Sequence, residues 1–132
     1  VRALEESGLI EAFTLIPVWP KLGYTIMAFT FVKVRINNPE NHEARYQEVM
    51  RRGTEWLVKQ PNVLMAGGCR GMGVESFMIS VHKTYADFDE FMGDCRLQLG
   101  DLLEIVQFIL INLAGNELLK PFNPAYLAAV TK

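Results

Sequence analysis

The sequence predicts an α+β fold of the ferredoxin-like kind, with the split order β-α-β-β-α-β and an antiparallel sheet that carries both helices on one face. Three observations predict it. Residues 24–36 form a long run of β-branched and aromatic residues that is apolar at both parities. Residues 43–60, and those after Thr84, repeat apolar residues at the helical period. Between these two helical stretches lie two short strand-like runs joined by a glycine-rich turn.

The first long strand is residues 24–36. One face carries Tyr24, Ile26, Ala28, Thr30, Val32 and Val34; the other carries Thr25, Met27, Phe29, Phe31 and Lys33. A strand apolar on both faces is covered on both, so helices are expected on one side and a second subunit on the other. Asn37, Asn38 and Pro39 end it as turn residues. The helix over residues 43–60 is expected to bury Tyr46, Val49, Met50, Gly53 and Leu57. Glu48 with Arg52, and Glu55 with Lys59, are set four apart along it. Pro61 stops it. Residues 63–70 read as the second strand and residues 74–83 as the third, with Phe77, Ile79 and Val81 on the expected core face.

Thr84 is a fitting N-cap, with Asp87 near the exposed amides of the first helical turn. The helix it opens has a complete apolar stripe of Phe88, Phe91, Met92, Cys95 and Leu99. Gly100 and Asp101 end it, and residues 103–111 read as the fourth strand. A short helical turn is expected near residues 125–130. Ahead of all this, Gly8 is placed as a left-handed helix terminator, and residues 9–17 read as an apolar strand broken by Pro17 and Pro20.

The chain has 132 residues, 50% of them hydrophobic, which suits one domain with a real core. Collagen, a disulfide scaffold and general disorder are excluded by composition. With 13 Lys and Arg against 15 Asp and Glu, the net charge of −2 argues against binding nucleic acid through bulk charge. Cys69 and Cys95 are expected as small buried thiols. No secretory signal is visible, and the most apolar stretch, about 13 residues from Leu102, falls short of the roughly 20 needed to span a bilayer. A cytoplasmic protein without membrane contact is the expectation. The opening residue, Val1, reads as the middle of a helix, as in a fragment or a processed chain.

Catalytic signatures are missing. No Ser-His-Asp, Cys-His or H-E-x-x-H pattern occurs, and neither His42 nor His82 has a second ligand at metal spacing. No cofactor and no metal are expected, and both histidines read as solvated or capping. Arg45, Arg51, Arg52 and Lys59 read as a solvated helix face, balanced by Glu48 and Glu55. Asp87, Asp89, Glu90 and Asp94 are explained by the positive end of their helix. Trp56 fits either the core or an interface. The glycine-rich stretch, residues 67–73, has two readings: backbone amides that approach a ligand closely, or a flexible turn with a bulge before it.

At the amino end, Leu4-Glu5-Glu6-Ser7-Gly8-Leu9-Ile10, Phe13 and then Lys21-Leu22-Gly23-Tyr24 resemble the junction segment of the Lrp/AsnC family of transcriptional regulators. Gly73-Val74-Glu75-Ser76-Phe77-Met78-Ile79-Ser80-Val81 is similar to that family's glycine loop entering a strand. The resemblance implies a division of the chain. Residues 1–8 would be the remnant of a helix-turn-helix recognition helix, and residues 9–21 a linking strand. Residues 22–112 would be the effector-binding and oligomerisation domain, followed by a carboxy-terminal extension at residues 113–132. It further implies a homodimer stacked through its sheets, higher homo-oligomers, and DNA contact only through the helix-turn-helix domain. A small, amino-acid-like effector would be held where dimers meet, on Gly68, Arg70, Gly71, Gly73, Glu75 and Ser76. One departure stands out: the family's acidic ligand position is Ser76 here. Glu75, one residue earlier, points to the opposite strand face and is no direct substitute.

Two alternatives remain open from sequence: a stand-alone ligand sensor without DNA binding, and a small dimeric monooxygenase-type enzyme. The enzyme would need an organised polar pair between helices and sheet, for which His82 and Trp56 are the candidates.

Overall fold

The computed structural model describes Glu6, Gly8, residues 15–35, Glu40 and residues 42–129. A short 3-10 turn, Trp19–Leu22, leads into β1, Ile26–Val34. Then come α1 (His42–Val58), β2 (Val63–Gly71), β3 (Val74–His82), α2 (Tyr85–Leu99) and β4 (Leu103–Asn112), with a last 3-10 turn at Pro124–Ala129. The four strands form one sheet in the order β2-β3-β1-β4, every neighbouring pair antiparallel. This is the expected βαββαβ arrangement. Most strand and helix bounds lie within a residue or two of expectation. The predicted strand over residues 9–17 is not seen at residues 15–17, which have no regular structure; its remainder, like Ile36, lies outside the described residues. Gly8 is left-handed at φ 81°, as its place in the sequence implies.

The register divides the sheet into two faces. Ala28 lies opposite Ser80 and Leu110, and Thr30 opposite Met78 and Phe108. These residues face the helices: the Phe108 ring packs edge-on against Phe88 of α2, and Ala28 and Met78 join Trp56, Phe88, Phe91, Met92, Cys95 and Leu99 in the core. All five residues of the predicted α2 stripe are buried. Thr84 caps the helix, its hydroxyl accepting the Asp87 amide at 3.0 Å, which satisfies one of the orphan donors of the first turn.

Three packing expectations are corrected. On β3 the core face is Met78, Ser80 and His82, while Phe77 and Ile79 share the opposite face with Phe31 and Phe29. Val81 is buried, but at the opposite parity from its neighbours Ser80 and His82. The reason is that β3 is apolar at both parities, so bulk alone does not tell which face meets the helices. On α1, Met50 is 67% exposed and Trp56 is the residue buried. The ion pairs also differ: Arg51 holds Glu48 at 2.7 Å and Glu55 at 3.3 Å, while Arg52 leaves its own helix for Asp101 at 2.7 Å.

That last pair belongs to a clamp. Arg52 also donates to the Gln98 carbonyl, Arg45 to the carbonyls of Asp101 and Arg35, and Arg35 to Gly100. Three guanidinium groups thereby fasten the α2–β4 turn to α1 and to the end of β1. The arginines expected as a solvated face are, for Arg45 and Arg52, structural.

The face without helices carries Met27, Phe29, Phe31, Phe77, Ile79, Ile109 and Ile111, together with Met65 on the edge strand β2. Ile109 is 47% and Met65 59% exposed. The other six are partly buried, and the helical core lies on the opposite face of the sheet.

Candidate functional site

The sequence-predicted site residues all fall on the β2–β3 hairpin. Of the glycine-rich stretch, Gly67, Gly68 and Gly71 belong to β2, and only Met72 and Gly73 form the turn. The register shifts between the pairs Gly68–Ser76 and Gly71–Val74, which makes a bulge holding Cys69 and Arg70. Gly71, Met72 and Gly73 all have positive φ, at 125°, 54° and 71°. Glycine tolerates this freely, whereas Met72 is held there by the tight connection between its neighbours.

The hairpin sets Gly68 directly beside Ser76 and leaves Arg70 exposed in the bulge, with no hydrogen bond or ion pair among the described residues. Glu75 is spoken for: its Oε2 accepts a hydrogen bond from the Tyr46 hydroxyl of α1. Ser76, opposite Val32, sits on the helix-bearing face and is half-buried. The hairpin therefore offers one free cation, one hydroxyl and a run of backbone that side chains do not crowd. A Cβ at Gly71 or Gly73 would meet nothing within 4 Å.

Sequence reasoning missed a second concavity. A cleft of about 420 Å³ opens between the end of α1, the end of β3 and α2, lined by Tyr24, Asn62, His82, Asp87, Glu90 and Asp94 among others. His82, expected to be solvated or capping, is only 3% exposed. Its Nε2 lies 2.7 Å from the Ser80 hydroxyl, and the rings of Phe88 and Phe91 pack on it. Burial pushes its pKa below the ordinary value, and the Asp87 charge only partly opposes this. Its signal in the sequence was its spacing from Ser80: two polar residues two apart on a strand share a face and bond each other there.

Trp56 also packs against Phe91, but its indole N–H donates to Asp94 at 2.9 Å. His82 and Trp56 thus each have their own partner, and no acid–base dyad joins them. Both cysteines are free thiols; Cys95 is buried and burial pushes its pKa up to about 11, while Cys69 is half-exposed. Among the described residues no cluster of His, Cys, Asp or Glu is set to hold a metal, and no helix is long and apolar enough to cross a membrane.

Searches with family models and among curated proteins find no match to this chain. Solved structures do match. An AsnC family transcriptional regulator from Agrobacterium tumefaciens superposes with a TM-score of 0.67 at 17% identity, over 97% of this chain and 74% of the regulator. A transcriptional regulator from Neisseria meningitidis, in complex with L-methionine, gives 0.72 at 16% identity, over 98% and 74%. A feast or famine regulatory protein from M. tuberculosis, also complexed with L-methionine, gives 0.59 at 13% identity, over 92% and 69%. At such identities the likeness is one of fold. The chain has the fold of Lrp/AsnC-type transcriptional regulators, as the amino-terminal motif led one to expect.

Proposed function

We propose that this chain is the effector-sensing and assembly part of an Lrp/AsnC-type transcriptional regulator, and that it acts without catalysis. The observation that carries the reading is the helix-free sheet face. Phe29, Phe31, Phe77, Ile79 and Ile109 form an apolar surface of a kind that soluble domains cover with a partner. Two copies stacked sheet to sheet bury it on both sides, which makes a symmetric, self-complementary dimer. Residues 1–8 then read as the end of a DNA-reading helix and residues 9–21 as its link to the domain at 22–112. DNA is contacted through the reading domain alone.

The effector site in this reading is the β2–β3 hairpin: Gly68, Arg70, Gly71, Gly73, Glu75 and Ser76. Arg70 supplies a guanidinium for a carboxylate, the glycines let a ligand approach the main chain, and Ser76 supplies a hydroxyl. Because Glu75 is bonded to Tyr46, the hairpin has less negative charge to offer an ammonium group than a free carboxylate gives. Two of the structurally similar regulators hold L-methionine, which makes it the first ligand to try. Regulation is linkage: a ligand that binds one arrangement of dimers more tightly shifts the population toward it.

The test is a titration with L-methionine and a panel of other L-amino acids, followed by melting temperature and sedimentation. Binding at a hundredfold excess over Kd stabilises by about 2.7 kcal/mol, a shift of several degrees. Arg70→Ala abolishes that shift without changing the unliganded melt. No shift with any member of the panel removes the amino-acid-sensing role.

A further inference from the structure

From Val63 to Val81 the β2–β3 hairpin carries one basic residue, Arg70, and one acidic residue, Glu75. The fold treats the two differently. Arg70 is exposed in the bulge and has no hydrogen bond or ion pair among the described residues. Glu75 is half-buried, and its carboxylate accepts a hydrogen bond from the Tyr46 hydroxyl in the second turn of α1. Tyr46 is itself held in place: it is half-buried, and the His42 ring packs on it at 4.7 Å between centroids. A carboxylate bonded across two elements in this way is aimed at α1 and is not free to turn to a ligand on the glycine run.

This asymmetry selects among ligands. A ligand held on the hairpin meets a free guanidinium, which pairs with a carboxylate, and the Ser76 hydroxyl, which both donates and accepts. It also meets main chain that no side chain crowds at Gly71 and Gly73. An ammonium, by contrast, only donates. On the hairpin it loses hydration, stands near the like charge of Arg70 and finds no free carboxylate.

We propose that Tyr46, by holding Glu75, makes the hairpin a site for a small carboxylate whose neighbouring carbon bears an uncharged oxygen, a 2-oxo or 2-hydroxy acid, in preference to the α-amino acid of the same side chain. Tyr46 is a positioning residue: it acts on the ligand through Glu75. The inference rests on the effector reading of the hairpin, and the experiment keeps the two apart.

Isothermal titration calorimetry on the full chain compares each L-amino acid of a panel, methionine first, with the 2-oxo acid, the 2-hydroxy acid and the amino alcohol of the same side chain. In the wild type the oxo or hydroxy acid is expected to bind at least about tenfold more tightly than its amino acid. The amino alcohol, which lacks the carboxylate, does not bind. Tyr46→Phe keeps the ring and drops the hydroxyl, and the released carboxylate narrows the preference to about threefold or less. Adding Glu75→Gln to Tyr46→Phe restores the wild-type preference, a recovery that a merely structural role of Tyr46 does not produce. Glu75→Gln alone retains the preference, in a chain whose α1 is untouched.

An amino acid that binds the wild type as tightly as its oxo and hydroxy acids, or a preference that Tyr46→Phe leaves unmoved, overturns the inference and leaves the hairpin standing as an effector site. No binding by any of these compounds overturns the effector site itself, and the inference with it.

Discussion

At the scale of single residues, the polar pair of β3 is buried bonded to itself, whereas the Thr30 hydroxyl beside it on β1 is buried without a hydrogen-bond partner. Ser80 and His82 are both buried on the helix-bearing face of β3 and bond each other at 2.7 Å. Burial favours the neutral imidazole in the folded chain and pushes its pKa down from an ordinary value of 6.5. The unfolded chain binds the proton more readily, so stability is fully present above that ordinary value and is lost as pH falls through the lowered one. Urea melts at stepped pH check this: His82→Gln is expected to flatten the acid-side loss, and an unchanged profile would remove His82 as its source. Trp56→Phe keeps most of the ring but drops the bond to Asp94 at 2.9 Å, and is expected to cost about 1 kcal/mol in the same melts.

At the scale of elements, legibility followed the contrast between faces. The α2 stripe was readable because Phe88, Phe91, Met92, Cys95 and Leu99 are large and apolar on an otherwise polar helix. Its cap was readable for a local reason, one hydroxyl placed three residues before a free amide. Thr84→Ala is expected to lose about 1 kcal/mol of stability by denaturant melt. On β3 the contrast was missing: apolar residues occupy both parities, and the polar pair that marks the core face looks from sequence like a solvated one. On α1, the few apolar residues are spread over two faces, so the helical period points Met50 inward and does not decide between core and interface for Trp56. The arginine clamp was out of reach, since Arg35, Arg45 and Arg52 meet Asp101 and Gly100 only through tertiary contact. The turn that the clamp holds is also tight at Gly100, where an added Cβ would stand 2.2 Å from the Arg96 carbonyl. Gly100→Ala must shift the α2–β4 turn, at an expected cost of about 1–3 kcal/mol. The hairpin site was legible as a place, because glycines and a bulge mark it. Its chemistry was not: the engagement of Glu75 by Tyr46 joins residues from separate elements.

At the scale of the whole molecule, the sheet has one face closed by helices and one face of aromatic and aliphatic side chains that the helices leave open. The closed face accounts for the core. The open one is the surface of the proposed assembly, and the hairpin at one end of the sheet takes its proposed role from it. Phe29 sits mid-strand on that face, paired with Ile79 on one side and Ile109 on the other. The most direct measurement is the solution mass of the chain and of Phe29→Asp across a wide range of concentration, by sedimentation equilibrium. The account predicts an assembly of at least two copies that persists on dilution, and a folded monomer for Phe29→Asp. A wild-type chain that remains monomeric at high concentration, or a folded Phe29→Asp of unaltered mass, contradicts it.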